Sequence, residues 1–133
     1  MKKILVATDA SEYSREALKS ALELARNSQS EVELLYAMYH PIVYEQDVLP
    51  QTEQSGEMVI KLTLEGIDIS GVNLTKKVVQ GKPANMILEE IEKETIDLVV
   101  MGSHGYGRIV GALIGSVSQR VLHGATCSVL IVK

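Results

Sequence analysis

The sequence has no tryptophan, no phenylalanine and a single cysteine, and these absences narrow the possible functions. Without Trp or Phe, and with its five Tyr scattered, the chain has no aromatic platform for stacking nucleic-acid bases. The lone Cys127 excludes an intramolecular disulfide framework and fits a reducing compartment. Because it starts an apolar run and has no CxxC partner, we expect a small buried residue rather than a redox centre.

Long hydrophobic runs and an excess of positive charge are also missing. No apolar run approaches the roughly 20 residues that span a bilayer. The first apolar run stops at Asp9, too early for the core of a secretory signal. Thirteen Lys and Arg against seventeen Asp and Glu give a net charge of −4, without the basic excess of a nucleic-acid-binding protein. We therefore expect a cytoplasmic protein that binds neither membranes nor nucleic acids.

The residues that are present predict a single α/β domain over 1–133. A length of 133 residues suits one domain, and 46% of the residues are apolar. Short, partly β-branched apolar runs alternate with segments of helical periodicity. Ser11 is predicted as the N-cap of one helix and Pro83 as the first residue of another. This alternation indicates a mostly parallel sheet covered by helices on both faces. The predicted strands are 4–7, 32–38, 74–79, 96–101 and 128–132, and the predicted helices are 12–28, 51–70, 83–91 and 116–122.

Three local signals refine this outline. Gly71 is expected to end the second helix as a residue with positive φ. Lys76 and Lys77 point to opposite faces of the third strand, which suits a solvated strand at a sheet edge. The segment 39–50 contains two prolines and has no clear periodicity, so we predict a long surface loop there.

Two loops carry residues suited to ligand binding. In an open parallel sheet, ligands bind beyond the carboxyl ends of the strands, where the strand order reverses. Thr8 to Ser11 follow the first strand, and the segment 102–118 follows the fourth strand. The acidic residue of the first loop, Asp9, could cap the following helix, contact a ligand or help to hold a divalent cation.

The segment 102–118 contains five glycines between Gly102 and Gly115. Glycine permits positive φ and lets backbone amides close around an oxyanion. Ser116 and Gln119 have the spacing of a capping box, which predicts a helix N-terminus that attracts phosphate. The hydroxyls of Ser116 and Ser118 and the charge of Arg108 would add to this site. The alternative is that the glycines only allow a tight surface turn and that Ser116 only caps its helix.

Common phosphate-binding motifs are absent. No lysine lies between Gly102 and Ser118, so this is not a Walker A loop, and no GxGxxG follows the first strand. The residues Gly102-x2-Gly105-x9-Gly115-Ser116 instead resemble the G-2x-G-9x-G-(S/T) ATP-binding motif of the universal stress protein family. The segments KILVATDASEYSREAL, QGKPANMI and CSVLIVK also resemble that family, so the similarity extends over essentially the whole chain. Ala10 departs from the pattern, because many members have Gly there.

The resemblance implies a Rossmann-like open sheet of five parallel strands in the order 3-2-1-4-5. It also implies a bound ATP, ADP or AMP, with Mg²⁺ held mainly by the phosphates. Residues at the ends of the first two strands would line the adenine and ribose side, and those at the end of the fourth strand would follow the ribose and the first phosphates. Residues from Gly115 onward would hold the phosphates. Together with Arg108, the expected nucleotide-binding residues are Ala7, Thr8, Asp9, Ala37, Met101, Gly102, His104, Gly105, Gly115, Ser116, Val117 and Ser118.

The family resemblance implies an ATP-binding regulatory protein of the stress response that acts as a nucleotide-dependent switch. It implies a homodimer formed through 128–132. No catalytic base is evident apart from Asp9, so at most slow hydrolysis is expected. One alternative is an ATP-hydrolysing or adenylyl-transferring enzyme, although ATDAS stands where such transferases have an HxGH-type motif. The other is a nucleotide-free dimeric interaction module. The three histidines, His40, His104 and His123, lack metal-binding spacing.

Overall fold

The computed structural model describes residues 2–39, 53–105 and 114–133, which form a five-stranded parallel sheet with helices on both faces. The strand order is β3-β2-β1-β4-β5, and every neighbouring pair is parallel. The predicted fold class and strand order are therefore confirmed. The elements in chain order are β1 (Lys3–Ala7), α1 (Glu12–Ser28), β2 (Glu31–Met38), α2 (Glu53–Leu64), β3 (Leu74–Gln80), α3 (Pro83–Lys93), β4 (Leu98–Gly102), α4 (Ser116–Gly124) and β5 (Ser128–Val132).

The core consists of two apolar layers, one on each face of the sheet. Successive residues of a strand point to opposite faces, so Ile4 and Val6 pack under α1 and α2, whereas Leu5 packs under α3 and α4. All three side chains are completely buried. The central strands β1 and β4 are apolar on both faces, as expected for a parallel sheet covered on both sides.

The ends of α1 and α3 confirm the predicted capping residues. Ser11 is the N-cap of α1, and its hydroxyl oxygen accepts a hydrogen bond from the Ser14 amide at 3.2 Å. Pro83 is the first residue of α3, where its missing amide hydrogen costs no helical hydrogen bond. Lys82 before it is extended, as the residue preceding a proline prefers.

The second helix and the fourth strand differ from the predicted bounds. The helix ends at Leu64 rather than at residue 70, because the chain turns at Gly66 (φ +73°) and the Ile67 amide bonds to the Leu64 carbonyl. Gly71 has the expected positive φ but lies in a later turn. The fourth strand begins at Leu98 rather than at residue 96. Residues 40–50 of the predicted surface loop lie outside the described residues.

Two side chains also differ from expectation. Lys77 is not simply solvated, because its ammonium group donates to both carboxylate oxygens of Glu90 at 2.9 and 3.0 Å. Cys127 is only partly buried against the layer under α3 and α4, and this burial raises the pKa of its thiol. The edge position predicted for the third strand is confirmed. Over the described ranges, none of the helices combines the length and the apolarity needed to cross a membrane.

The turn after β1 holds a strained residue that gives a stability prediction. Ala10 has φ +67°, a left-handed conformation that crowds the Cβ atom of an L-residue. The turn is fixed by a hydrogen bond from the Ala10 amide to Thr8 Oγ1 at 2.9 Å. We expect Ala10→Gly to raise the free energy of unfolding by about 1 kcal/mol, because glycine adopts this conformation without a steric penalty. Urea denaturation measures the change, and a loss of stability would contradict the assignment of strain.

Candidate functional site

A cavity of about 450 Å³ lies at the carboxyl ends of β1, β2 and β4. Its walls come from the loop after β1, the end of β2, the start of α3, the end of β4 and the first turn of α4. Arg108 lies outside the described residues. The described residues of the predicted site all line this cavity, namely Ala7, Thr8, Asp9, Ala37, Met101, Gly102, His104, Gly105, Gly115, Ser116, Val117 and Ser118.

Asp9 is held at the edge of the cavity by the start of α1. Its Oδ1 accepts hydrogen bonds from the Ser11 amide at 2.9 Å and from the Ser14 hydroxyl at 2.8 Å. The Ser14 oxygen in turn accepts from the Asp9 amide at 3.2 Å. The second carboxylate oxygen, Oδ2, faces Gly105 so closely that a Cβ atom there would collide with it. Asp9 therefore supports the N-cap residue Ser11 and also lies against the loop after β4.

The hydroxyl of Thr8 serves the fold of the same loop. Thr63 of α2 donates its hydroxyl hydrogen to the Val59 carbonyl at 2.8 Å. The bond of 2.7 Å between the two threonine hydroxyls is therefore donated by Thr8, whose oxygen also accepts from the Ala10 amide. This chain of hydrogen bonds fixes the loop to α2, and Thr63 is completely buried.

The end of β4 approaches α1 so closely that it needs glycine. A Cβ atom on Gly102 would lie 2.6 to 2.8 Å from the Cβ, carbonyl carbon and carbonyl oxygen of Tyr13. His104 is 9% exposed, and its ring centroid lies 5.4 Å from that of Tyr13. Its Nδ1 lies 3.0 Å from the Ser103 hydroxyl. These contacts fix the first residues after β4 between α1 and the cavity.

The first turn of α4 lines the same cavity. Gly115 is the N-cap, and its amide donates to the Ser103 carbonyl at 2.6 Å. The helix proper begins at Ser116, and the Gln119 amide makes the first bond back to the Gly115 carbonyl at 3.0 Å. The amides of residues 116–118 have no acceptor within the helix, because the first turn of any α-helix leaves them without one.

Two details of the predicted phosphate loop are wrong. The capping box is not formed, because Gly115 rather than Ser116 is the N-cap and no side chain caps the helix. Ser118 is 4% exposed and donates its hydroxyl hydrogen to the Gly102 carbonyl at 2.8 Å. That hydrogen is therefore not available to a phosphate. The Ser118 hydroxyl instead ties α4 to the end of β4.

The apolar wall of the cavity and two of its polar residues were not predicted from the sequence. The carboxyl end of β2 contributes Leu35 and Tyr36 beside the predicted Ala37. Burial raises the pKa of the Tyr36 phenol, and the charge of Asp9 adds a smaller effect in the same direction. Because β2 lies next to β1, its carboxyl end could have been predicted to line the cavity. The complete set of missed lining residues is Ser14, Leu35, Tyr36, Pro83, Ile87 and Ile114.

The described walls of the cavity carry little formal charge. With histidine neutral, Asp9 carries the one formal charge among the described lining residues. Lysine and arginine are absent from the described lining residues, and the start of α4 contributes the positive end of its helix dipole to the cavity. No cluster of three His, Cys, Asp or Glu suited to a metal ion occurs within 2–39, 53–105 and 114–133.

Comparison with known proteins identifies the family. The sequence profile of the universal stress protein family matches residues 1–133. The chain belongs to this family. It is 35% identical over 142 residues to a universal stress protein of Methanocaldococcus jannaschii, and the match covers 99% of this chain and 82% of the relative.

Solved universal stress proteins share the fold. One is the universal stress protein from Archaeoglobus fulgidus in complex with dAMP, with a TM-score of 0.69 and 18% identity over 100% of this chain and 98% of that one. Another is the family protein from Arabidopsis thaliana with AMP bound, with a TM-score of 0.67 and 18% identity over 100% of this chain and 92% of that one. At these identities the likeness establishes the shared fold.

The close packing of Gly102 predicts a loss of stability on substitution. We expect Gly102→Ala to lower the free energy of unfolding by about 1 to 3 kcal/mol, because the added methyl group overlaps the Tyr13 backbone. Gly124→Ala is the control, because the atoms nearest to its added Cβ atom belong to the flexible side chain of Leu88, at 3.0 Å or more. Urea denaturation measures the free energy of unfolding of both variants. Equal losses would show that the contact between β4 and α1 does not require glycine at position 102.

Proposed function

We propose that this universal stress protein binds an adenine nucleotide in the cavity at the carboxyl ends of β1, β2 and β4. The proposal depends on one observation, namely that three features lie at the same cavity. These features are the first-turn amides of α4, the Asp9 carboxylate and the apolar wall formed by β2 and α3. Amides suit phosphate, the carboxylate suits ribose hydroxyls and the apolar wall suits a purine ring. The AMP and dAMP bound by proteins of this fold support the assignment.

The proposed orientation follows the chemistry of the walls. The adenine lies against Ala7, Ala37 and the apolar residues at the start of α3. The ribose lies beside Asp9 and the loop from Met101 to Gly105. The phosphates lie against the amides of residues 116–118. Every group of the nucleotide then meets a wall of matching polarity.

ATP is the proposed occupant in the cell, with ADP and AMP as products or competitors. The chemistry of the described lining residues fits a phosphate chain bound by amides, and Mg²⁺ would be held mainly by the phosphates. Asp9 is the one carboxylate among the described residues that line the cavity. Because one of its oxygens already accepts two hydrogen bonds, Asp9 is better suited to holding a ligand than to activating water.

We propose a regulatory rather than a catalytic role, in which the bound nucleotide changes the protein's affinity for a partner in the stress response. Among the described lining residues, no second acidic side chain accompanies Asp9 to share acid and base steps. The protein would therefore act as a nucleotide-dependent switch with at most slow hydrolysis. Steady phosphate release over many turnovers would instead favour the enzyme alternative.

A matched pair of substitutions at the first residue of α4 tests the phosphate site. Ser116→Pro removes one amide hydrogen but fits the helix, since proline is favoured at this position and Gly115 has the extended conformation (φ −69°, ψ 162°) that precedes proline. Ser116→Ala removes the hydroxyl and keeps the amide. We expect the proline variant to bind AMP at least tenfold more weakly, because a hydrogen bond to a charged group contributes about 1.5–3 kcal/mol.

Isothermal titration calorimetry with AMP measures both variants, and circular dichroism checks that the helix content is unchanged. The alanine variant should bind nearly as tightly as the wild-type chain. Equal affinity of the proline variant and the wild type would place the phosphate elsewhere. Failure of the wild-type chain to bind AMP, ADP or ATP with Mg²⁺ would favour the nucleotide-free interaction module.

We also propose a homodimer formed through β5. This strand lies at the edge of the sheet, its Leu130 is 37% exposed, and the residues from Val129 to Val132 are otherwise only partly buried. An apolar edge strand is a ready surface for pairing with a second copy.

Substitution of Leu130 tests this dimer. We expect the wild-type chain to sediment at twice the mass of 14.5 kDa and Leu130→Lys to sediment as a monomer, because a charged edge disfavours pairing. Leu122→Lys is the control, since Leu122 is 45% exposed on α4. Analytical ultracentrifugation distinguishes the two masses. A monomeric wild type, or a dimer that survives Leu130→Lys, would contradict the proposed interface.

A further inference from the structure

Two glutamates are buried opposite each other between the sheet and α3, away from the nucleotide cavity. Glu33 of β2 and Glu90 of α3 are each only 4% exposed. The strand register places Glu33 level with Leu5, so its side chain lies on the face that α3 covers. Buried carboxyl groups are rare unless they are paired with a cation or protonated.

Two lysines lie near this pair, and both already pair with a carboxylate other than Glu33. Lys77 of β3 donates to both oxygens of Glu90 at 2.9 and 3.0 Å. Lys3 of β1 pairs with Glu94, just beyond α3, at 2.9 Å. The two lysines therefore already balance two carboxylates. An ionised Glu33 would add a third carboxylate beside two lysines that already pair with Glu90 and Glu94.

The hydrogen bonding favours a proton on Glu33. Oε2 of Glu33 is buried and has no hydrogen-bond partner among the described residues. A protonated carboxyl group can donate its hydrogen to the Glu90 carboxylate, which turns two repelling charges into one shared proton. Burial, followed by the hydrogen bond to Glu90 and its charge, raises the pKa of Glu33 to about 7, although Lys77 and Lys3 oppose the shift.

The helix that carries Glu90 also forms a wall of the cavity. Pro83 and Ile87 of α3 line the cavity, and Ile87 lies three residues before Glu90, on the same side of the helix. A force that moves Glu90 away from the sheet therefore acts on the wall proposed to contact the nucleotide base.

We propose that Glu33 and Glu90 share one proton that holds α3 against the sheet, and that loss of this proton loosens α3 and the cavity wall it carries. The effect on ligand affinity rests on the nucleotide binding proposed above. Above neutral pH, an ionised Glu33 repels Glu90 in a poorly solvated space. A rise in pH within the physiological range would then weaken nucleotide binding.

The sign of the pH dependence follows from proton linkage. The pKa of Glu33 is about 7 in the folded protein and near 4.5 in the unfolded chain, so the folded state binds more protons between these values. The contribution of Glu33 to stability is therefore present below about pH 4.5 and is lost progressively as the pH rises to about 7.

Glu33→Gln tests the shared proton without any ligand, because glutamine keeps a hydrogen-bond donor and cannot ionise. We expect the variant to melt close to the wild-type temperature at pH 5 and several degrees above it at pH 8. Glu31→Gln is the control, since Glu31 lies on the same face of β2 but is exposed. A melting difference for Glu33→Gln that stays constant from pH 5 to pH 8, or that follows the Glu31→Gln control, would overturn the proposal.

Titration with AMP at pH 6 and pH 8 tests the coupling to the cavity. The AMP phosphate itself titrates near pH 6, so the informative quantity is the difference between variants. The wild type and Glu31→Gln should lose severalfold more affinity between the two pH values than Glu33→Gln does. Equal losses in all three would refute the coupling. If AMP binds at neither pH, the coupling fails together with the proposed function, whereas the melting comparison still decides the shared proton.

Discussion

The position of β1 between β2 and β4 is the constraint on which the rest of the structure depends. The chain leaves β1 toward α1 on one face of the sheet and leaves β4 toward α4 on the other face. The two connections therefore diverge at the carboxyl edge and leave a crevice between them. The same divergence brings Asp9 and the first turn of α4 to one cavity, although 106 positions separate Asp9 from Gly115 in the sequence.

The chemistry of the cavity depends on side chains that are absent from its described walls. Gly102 and Gly105 have no side chains, so the backbone at the end of β4 lies directly against Tyr13 and the loop after it lies against Asp9. The described walls also lack lysine and arginine, which makes backbone amides the positive partners for an anion. Amides held in a helix cannot swing away as a lysine side chain can. Such a site therefore favours a ligand whose phosphate has a fixed position, as a purine anchored on an apolar wall would give it.

The sequence predicted the fold well because each element carries its own local signal. Ser11 and Pro83 mark the starts of α1 and α3 through capping preferences that act over one turn of helix. The strand order, by contrast, came from family resemblance, since alternating strands and helices do not define which strands pair. The second helix was predicted too long because apolar spacing continued to Ile69, whereas the turn at Gly66 had already ended the helix.

The parts that could not be predicted depend on contacts between distant segments. Ser116 was predicted as the N-cap of α4, but Gly115 has that position. The Ser118 hydroxyl was predicted to bind phosphate, but it donates to the Gly102 carbonyl, a contact that local spacing does not reveal. Glu33 looked like any polar residue in a strand. Its burial opposite Glu90 appears only when α3 is packed on the sheet. The apolar wall at Ile87 was missed for the same reason.

The most direct test of the central claim is a nuclear magnetic resonance titration of the ¹⁵N-labelled chain with AMP. If the first turn of α4 binds phosphate, the amide protons of Ser116, Val117 and Ser118 should move strongly downfield and saturate together with the signals of Asp9 and Ala37. Adenosine, which lacks the phosphate, should move the signals of Ala37 but not those of Ser116 to Ser118. Shifts confined to other surfaces, or identical shifts with adenosine and AMP, would contradict the account.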